Sequence, residues 1–241
     1  TPAYYPTLIK EPSVANPKRN HEYFDLSGKV AVITGGSRGL GLSMAHAFAE
    51  AGARVIIASR KQEACDAAAA EVQAASGREC VGFAYHAGSW EDSDRLAAFA
   101  FERFGHVDVL VNNAAIWTTT NPGVTPLAEF DRLVDVNLRG PYYVAHHFLP
   151  SMLARGRGNL IFVASVSGIA GDPHSAAYSA TKAGVAMLAR TFAATLGPKG
   201  IRVNAIAPGA VATPMTAMLR TPEGEAAIQS MMKSHPSPTR R

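Results

Sequence analysis

A tyrosine and a lysine stand four positions apart in the segment YSATK, which covers residues 178–182. On a helix, residues i and i+4 lie on the same face one turn apart, so Tyr178 and Lys182 are predicted neighbours. An ammonium group beside a phenol favours the phenolate, and we therefore expect Lys182 to lower the pKa of Tyr178 from its ordinary value of about 10. Such a pair could move a proton at neutral pH. It could equally be a pair of surface residues, because this spacing is common by chance.

The composition indicates one folded domain and disfavours several other classes of protein. The chain has 241 residues, of which 47% are hydrophobic and 17% charged, so it can bury a sizeable core. Its 23 basic and 19 acidic residues leave a net charge of +4, and the basic residues are scattered, which disfavours a nucleic-acid binder. No run approaches 18 uninterrupted apolar residues and no signal peptide is visible, so we expect no membrane span.

The two cysteines and the histidines favour no metal or disulfide site. Cys65 and Cys80 do not imply a disulfide framework and favour a reducing compartment, so we expect a cytoplasmic protein. Because no histidines cluster with them, a zinc site is disfavoured, and we expect no metal. We interpret His146 and His147 as exposed helix residues.

The N-terminal segment differs from the rest of the chain. Residues 1–27 contain Pro2, Pro6, Pro12 and Pro17, which break any helix. We expect an extended arm there, lying on the domain or on a partner subunit. The single domain then covers residues 28–241.

Short apolar runs alternate with helical patterns over that domain. The runs are continuously apolar, which is typical of a parallel sheet covered by helices on both faces. The sequence therefore predicts an α/β fold with a doubly wound parallel sheet, a Rossmann fold, whose ligand binds at the carboxyl ends of the strands. The predicted strands are 29–34, 54–59, 80–85, 107–114, 159–165 and 201–208, and the predicted helices are 41–53, 62–75, 91–104, about 126–153 and about 175–196.

A glycine-rich loop follows the first predicted strand. The segment TGGSRGLG covers residues 34–41 and leads into the first helix. Glycine lets a backbone come close to a ligand, and a helix N-terminus offers N–H groups to a pyrophosphate. Alone the loop could be a tight strand-to-helix turn, but its place between strand and helix predicts dinucleotide binding. The candidate binding residues are Gly35, Ser37, Arg38, Gly39, Leu40 and Gly41.

The end of the second strand favours a phosphorylated cofactor. Folds that bind NAD usually place Asp or Glu there to hold the adenine ribose hydroxyls. This chain has Ser59 followed by Arg60, and Arg38 should face the same pocket. Arginine binds phosphate in a bidentate way, so we expect NADP(H) rather than NAD(H), with a 2′-phosphate near these residues.

Six motifs in order carry a family resemblance. They are TGGSRGLG, NNAA (112–115), VNLRG (136–140), VASVSG (163–168), YSATK and RVNAIAPGAVATP (202–214). The chain resembles the short-chain dehydrogenase/reductase family, in its TGxxxGxG and YxxxK branch, over about residues 28–215. The resemblance implies an oxidoreductase that transfers a hydride between a nicotinamide cofactor and a carbonyl or alcohol.

The resemblance implies a catalytic tetrad. Tyr178 would be the general acid in carbonyl reduction and the base in alcohol oxidation. Lys182 would lower its pKa and hold the nicotinamide ribose hydroxyls, and Ser165 would orient and polarise the substrate carbonyl. Asn137 resembles the family asparagine that supports a water-linked proton path to the lysine.

Further cofactor contacts are implied in two loops, and one position departs from the pattern. Asn113 and Ala114 resemble the segment near the adenosine and ribose, and the loop PGAVAT resembles the one that meets the nicotinamide. After the third strand, where the family often has Asp at the adenine, this chain has His86. The nicotinamide loop contributes the candidates Pro208, Gly209, Val211 and Thr213.

The substrate stays open at this point. A ketone or 3-oxoacyl reductase is the first interpretation, with a sugar or polyol dehydrogenase of the same family as the alternative. A catalytically silent cofactor sensor or scaffold is a third. Loops 116–126 and 167–177 should set the pocket. By analogy with the family, we expect a homotetramer or dimer formed through the long helices.

The C-terminal region also departs from the pattern. Family members continue for another helix and an edge strand, and we expect that this sequence is truncated or is part of a longer protein that has both. Residues 214–235 would form a lid over the substrate through Met215, Met218, Met231 and Met232, although these methionines could be ordinary helix core.

Overall fold

A computed structural model describes residues 24–120, 123–172 and 174–221. Strands and helices alternate along the chain, as the sequence predicts. The strands are β1 (Val30–Thr34), β2 (Arg54–Ser59), β3 (Cys80–Ala84), β4 (Val109–Asn112), β5 (Gly158–Val163) and β6 (Ile201–Ile206). The helices are α1 (Gly39–Glu50), α2 (Gln62–Ser76), α3 (Trp90–Phe104), α4 (Leu127–Val134), α5 (Gly140–Arg155), α6 (Ser167–Ala170) and α7 (Ala176–Leu196).

All six strands form one parallel sheet in the order β3-β2-β1-β4-β5-β6. In its centre, Val32 of β1 pairs with Ile56 of β2 on one side and with Leu110 of β4 on the other. The prediction of a doubly wound Rossmann sheet is confirmed. The strand order reverses between β1 and β4, so the loops that follow these two strands diverge and leave a crevice at the carboxyl edge.

Two apolar layers bury the sheet. One layer lies between the sheet and helices α3, α5 and α7, and its largest side chains include Phe148 and Phe162. The other lies against α1 and α2, where the buried helix residues are small, such as Ala45 and Cys65. Because both faces are covered, every residue of β1 is buried, which explains the continuous apolar runs. Both cysteines are free and buried.

The long helix predicted over about 126–153 is interrupted. A π-helical segment, Asp135–Arg139, separates α4 from α5, and the N–H of Gly140 donates to the carbonyl of Asp135 five residues earlier. Helix α5 begins close to the loop after β3, and this approach needs glycine, since a Cβ at Gly140 would collide with the carbonyl oxygen of Ala87. The interruption turns Asn137 into the core, where it is fully buried. π-segments of this kind occur frequently at functional sites.

Several predicted segments lie wholly or partly outside the described residues. Of the expected N-terminal arm, only residues 24–27 are described, and there the N–H of Leu26 donates to the carbonyl of Ala51 (2.7 Å). Of the expected lid, a 3₁₀ segment Pro214–Arg220 is described, with Met215 exposed. Met231 and Met232 lie outside it, as does the side chain of Met218. The expectations about the arm, the lid and a missing edge strand stay predictions. No helix in the described part of the chain has the length and apolar character needed to cross a membrane.

Candidate active site

A cavity of about 910 Å³ opens at the carboxyl edge of the sheet. The glycine-rich loop forms one wall, and the loops after β2, β4, β5 and β6 form the others. All the predicted site residues except Asn137 line it: Gly35, Ser37, Arg38, Gly39, Leu40, Gly41, Ser59, Arg60, Asn113, Ala114, Ser165, Tyr178, Lys182, Pro208, Gly209, Val211 and Thr213. The structure thus brings the candidate cofactor residues and the candidate proton-transfer residues into one space.

The glycine loop requires its glycines. Gly35 has φ +66°, and a Cβ there would lie 2.9 Å from Cα of Ala114. A Cβ at Gly41 would collide with the carbonyl oxygen of Gly35, so the first turn of α1 can approach the loop only without side chains. The first turn contains no acidic residue, and Arg38 at the N-cap forms no capping hydrogen bond. The loop therefore leaves a helix N-terminus available to an anionic group such as a pyrophosphate.

One buried hydroxyl joins the glycine loop to β4. Thr34 at the end of β1 donates its Oγ1 hydrogen to the carbonyl of Val111 (3.2 Å). The same oxygen accepts from the backbone N–H groups of Asn113 and Ala114, each at 3.1 Å. This threonine was missed from sequence, although its place just before the loop, at the end of a buried strand, was a usable signal.

Asn113 braces the same junction from the other side. Its Nδ2 donates to the carbonyls of Thr34 (2.9 Å) and Gly35 (3.1 Å). The amide therefore holds the glycine loop in shape, and any contact that Asn113 makes with a cofactor must use other atoms. The loop shape is consequently set before a ligand arrives.

The part of the cavity that lies at the end of β2 is positively charged. Arg38 and Arg60 line it, both are exposed, and neither forms an ion pair within the described residues. Ser59 lines the cavity with them, and Asp172 is the one carboxylate among the described lining residues. His86 also lines the cavity and is exposed, so it is placed to contact a bound base. These donors and charges fit a phosphorylated ribose.

Ser165 and Tyr178 converge on the other side of the cavity. Ser165 follows β5 and is buried, and its Oγ accepts from the N–H of Ser167 (3.1 Å). Tyr178 lies in the first turn of α7, and its hydroxyl interacts with that of Ser165, which lowers the pKa of Tyr178. Burial has the larger and opposite effect, so the pKa of Tyr178 is raised above its usual value. The phenol is therefore protonated at neutral pH.

Lys182 does not have the effect on Tyr178 that the spacing suggested. Its Nζ donates to the carbonyl of Val163 (2.6 Å) and lies 5.7 Å from the centroid of the tyrosine ring. Burial lowers the pKa of Lys182 to about 8. The expectation that Lys182 lowers the pKa of Tyr178 is wrong for this structure, because the ammonium is directed to a backbone carbonyl and burial dominates at the phenol.

Asn137 acts through its neighbours rather than by lining the cavity. Its Oδ1 accepts from the N–H of Ile116 (2.8 Å), and its Nδ2 donates to the carbonyl of Ile116 (2.9 Å) and to Oγ1 of Thr181 (3.3 Å). The side chain thereby joins the loop after β4 to helix α7, one residue before Lys182. The structure shows this bracing contact, and the water-linked proton path stays a prediction.

The loop after β6 closes against the glycine loop. A Cβ at Gly39 would lie 3.4 Å from Thr213 and Pro214. Oγ1 of Thr216 donates to the carbonyl of Val211 (2.6 Å) and accepts from the N–H of Thr213 (3.1 Å). Thr216 was missed because it lies beyond the motif that drew attention to this loop.

The two adjacent histidines of α5 differ in exposure. His146 is exposed as expected, but His147 is largely buried, with only 12% of its side chain accessible, and its ring lies 4.5 Å from that of Trp90. The interpretation of His147 as exposed is therefore wrong, because α3 packs over it. In the part of the chain that the structure describes, no group of His, Cys, Asp and Glu could hold a metal ion.

Known proteins are similar to this chain in sequence and in fold. The family model for short chain dehydrogenase matches residues 29–224. The chain is 35% identical over 199 residues to dehydrogenase/reductase SDR family member 4 of Homo sapiens, covering 80% of this chain and 70% of that protein. It is 36% identical over 192 residues to a 3-oxoacyl-[acyl-carrier-protein] reductase of Synechocystis sp., covering 79% of this chain and 77% of the relative.

A similar solved structure carries a cofactor. It is described as an NAD(P)-dependent gluconate 5-dehydrogenase from Beutenbergia cavernae with NADP bound at low occupancy. The two structures superpose with a TM-score of 0.79 and 34% sequence identity, over 85% of this chain and 81% of the other.

Proposed function

The chain belongs to the short-chain dehydrogenase/reductase family, and we propose that it is an NADP(H)-dependent enzyme that transfers a hydride between nicotinamide and a carbonyl or secondary alcohol. The observation that carries the proposal is the shared cavity, in which Ser165, Tyr178 and Lys182 face the same space as the glycine loop. A bound nicotinamide supplies or accepts the hydride, and the protein supplies geometry and proton transfer.

Tyr178 is the proton donor in the reductive direction. Its raised pKa keeps the phenol protonated at neutral pH, which suits donation to a carbonyl oxygen that gains negative charge. The hydroxyl of Ser165 is held by the N–H of Ser167 and donates a hydrogen bond to the same oxygen. We therefore propose that the resting enzyme near neutral pH is in the protonation state that reduction requires.

Lys182 contributes binding and charge at the same place. Its ammonium is anchored by the carbonyl of Val163 and lines the cavity, so its remaining N–H donors are available to ribose hydroxyls. The ammonium also brings a positive charge to the lining of the cavity. Because burial holds its pKa near 8, this contribution weakens at alkaline pH.

The preference for NADP(H) is supported by Arg38 and Arg60. Both line the cavity beside Ser59, and the similar solved structure holds NADP. Guanidinium groups bind phosphate in a bidentate way, and a carboxylate at this place would instead repel it.

A ketone or 3-oxoacyl-type substrate is the leading candidate, in keeping with the 3-oxoacyl-[acyl-carrier-protein] reductase relative. The gluconate 5-dehydrogenase neighbour favours a sugar or polyol substrate as the alternative. A silent cofactor sensor is a third candidate, opposed by the presence of Ser165, Tyr178 and Lys182 in one cavity. A homotetrameric or dimeric state and a cytoplasmic location are proposed from the family resemblance and the two buried thiols.

The deciding experiment measures NADPH and NADH consumption with ketone, 3-oxoacyl thioester and keto-sugar substrates. The Tyr178→Phe variant is the control, because it keeps the ring and removes the proton donor. Turnover that prefers NADPH and disappears in the variant supports the proposal. Turnover that persists in the variant removes Tyr178 as the proton donor, and tight cofactor binding without turnover on any substrate favours the silent sensor.

A further inference from the structure

The loop after β4 is fastened to the segment that leads into Tyr178. The N–H of Thr120 donates to the carbonyl of His174 (2.8 Å), and the N–H of Ala176 donates back to the carbonyl of Thr120 (3.3 Å). Oγ1 of Thr120 also accepts from the N–H of Ala177 (3.1 Å). Together with the clamp that Asn137 forms on Ile116, these bonds fix the loop on both sides of Trp117.

The side chain of Trp117 is fixed as well. Its Nε1 donates to Oγ of Ser175 (2.8 Å), and Ser175 is fully buried immediately before α7. The indole is half-buried and lines the same cavity as Ser165 and Tyr178. With its single N–H group used by Ser175, the indole can offer a ligand only aromatic surface.

A flat aromatic surface held beside a proton donor favours one shape of substrate. A compact ring buries one apolar face against an indole and has few internal rotations to lose on binding. A flexible chain of the same apolar area must give up more conformational freedom for the same contact. Because the loop and the indole are already fixed, the protein itself loses little freedom when a ring binds.

We propose that Trp117 is a specificity-determining residue that selects ketones whose carbonyl lies in or directly on a ring, and that Ser175 is the positioning residue that holds the indole. This inference rests on the proposed oxidoreductase function. It names a substrate shape for the cavity and adds two residues that the sequence motifs do not contain.

The first test compares cyclohexanone with methyl butyl ketone, a linear ketone that has the same number of carbon atoms. Trp117→Ala should raise the KM for cyclohexanone about tenfold and leave that for the linear ketone within about twofold, since loss of about 50 Å² of apolar contact changes an affinity by about tenfold. The kcat should change much less than KM. Equal effects on the two ketones, or unchanged selectivity, would overturn the proposal.

The role of Ser175 is tested by a double-mutant cycle. Ser175→Ala and Trp117→Phe each remove one partner of the same hydrogen bond, and each should reduce the preference for the cyclic ketone severalfold. The double variant should lose no more than the more affected single variant, because Ser175 acts only through its contact with the indole. Fully multiplicative losses would show that Ser175 does not act through the indole.

A binding measurement separates this inference from the proposed reaction. The chain has two tryptophans, and Trp90 lies on α3 outside the described cavity lining, so Trp90→Phe leaves Trp117 as the only indole reporter. With the oxidised cofactor present, cyclohexanone should change Trp117 fluorescence in a saturable way at concentrations where methyl butyl ketone has no effect. A response without turnover would reject the proposed reaction and support the inference. Turnover without a selective fluorescence response would support the proposed reaction and reject the role of Trp117. Absence of turnover and of a response would reject the reaction and the role of Trp117.

Discussion

The buried ammonium of Lys182 is expected to lower the free energy of unfolding. Its side chain is 3% exposed, and burial lowers its pKa from 10.5 to about 8. A pKa difference of one corresponds to about 1.4 kcal/mol, so keeping the ammonium charged at neutral pH costs about 3 kcal/mol of folding free energy. Replacement by methionine, which has a similar length and no charge, removes this cost.

The expected gain is smaller than the full cost. Lys182→Met also leaves the carbonyl of Val163 without the donor that it has at 2.6 Å, which costs about 1 kcal/mol. The variant should therefore be more stable than the wild type by about 2 kcal/mol at neutral pH, while losing most of its turnover. Activity and stability are thus expected to change in opposite directions.

The sign of the pH dependence provides a second check. Because the pKa of Lys182 is lower in the folded state, the unfolded chain binds more protons between about pH 8 and 10.5. The penalty is present in full below about pH 8 and disappears as the pH rises toward 10.5. The advantage of the variant should therefore shrink over this interval.

Urea denaturation of the wild type and Lys182→Met, followed by circular dichroism at neutral and alkaline pH, measures both quantities. Lys199→Met is the matched control, because Lys199 is exposed and its replacement should leave stability nearly unchanged. A methionine variant that is less stable than the wild type at neutral pH would refute the reasoning. So would a stability difference that does not depend on pH.

Three further changes have defined outcomes. In steady-state kinetics, Arg38→Ala and Arg60→Ala should each raise the KM for NADPH about tenfold, as expected for the loss of one charge-assisted contact. The KM for NADH should not change. An equal effect on both cofactors would show that the arginines do not bind the 2′-phosphate. Gly41→Ala should abolish cofactor binding measured by calorimetry, because its Cβ meets the carbonyl of Gly35, whereas Gly197→Ala, with no atom within 4 Å of the added Cβ, should bind normally. Alcohol oxidation should speed up as the pH rises from neutral, because the raised pKa of Tyr178 makes the phenolate scarce there, and a flat pH–rate profile for kcat/KM would contradict this assignment.

The strands and the glycine loop were predictable because local sequence determines them. Apolar runs such as VAVIT are buried on both faces of the sheet, and the loop needs glycine wherever α1 approaches it. Their positions along the chain were sufficient to place a ligand at the carboxyl edge.

The contacts that tune the site were not predictable in this way. Trp117 meets Ser175 across 58 residues, and Asn137 meets Thr181 across 44, so neither pair leaves a local pattern. The spacing of Tyr178 and Lys182 placed them on one helix, but the direction of the ammonium and the depth of burial depend on β5. These tertiary features reversed the expected shift in the pKa of Tyr178.

The π-helical segment at Asp135–Arg139 also affects which changes in chain length the protein can accept. An α-helix turns by about 100° per residue, so one residue more or fewer between Gly140 and Phe148, where α5 is regular helix, would rotate Phe148 against Asn137 by that angle. Either Asn137 would leave its contacts with Ile116, or Phe148 would leave the core. Insertions and deletions in related chains should therefore occur in surface loops such as the one around Gly123 and should be rare in α5. The loop and the helix both belong to the connection between β4 and β5.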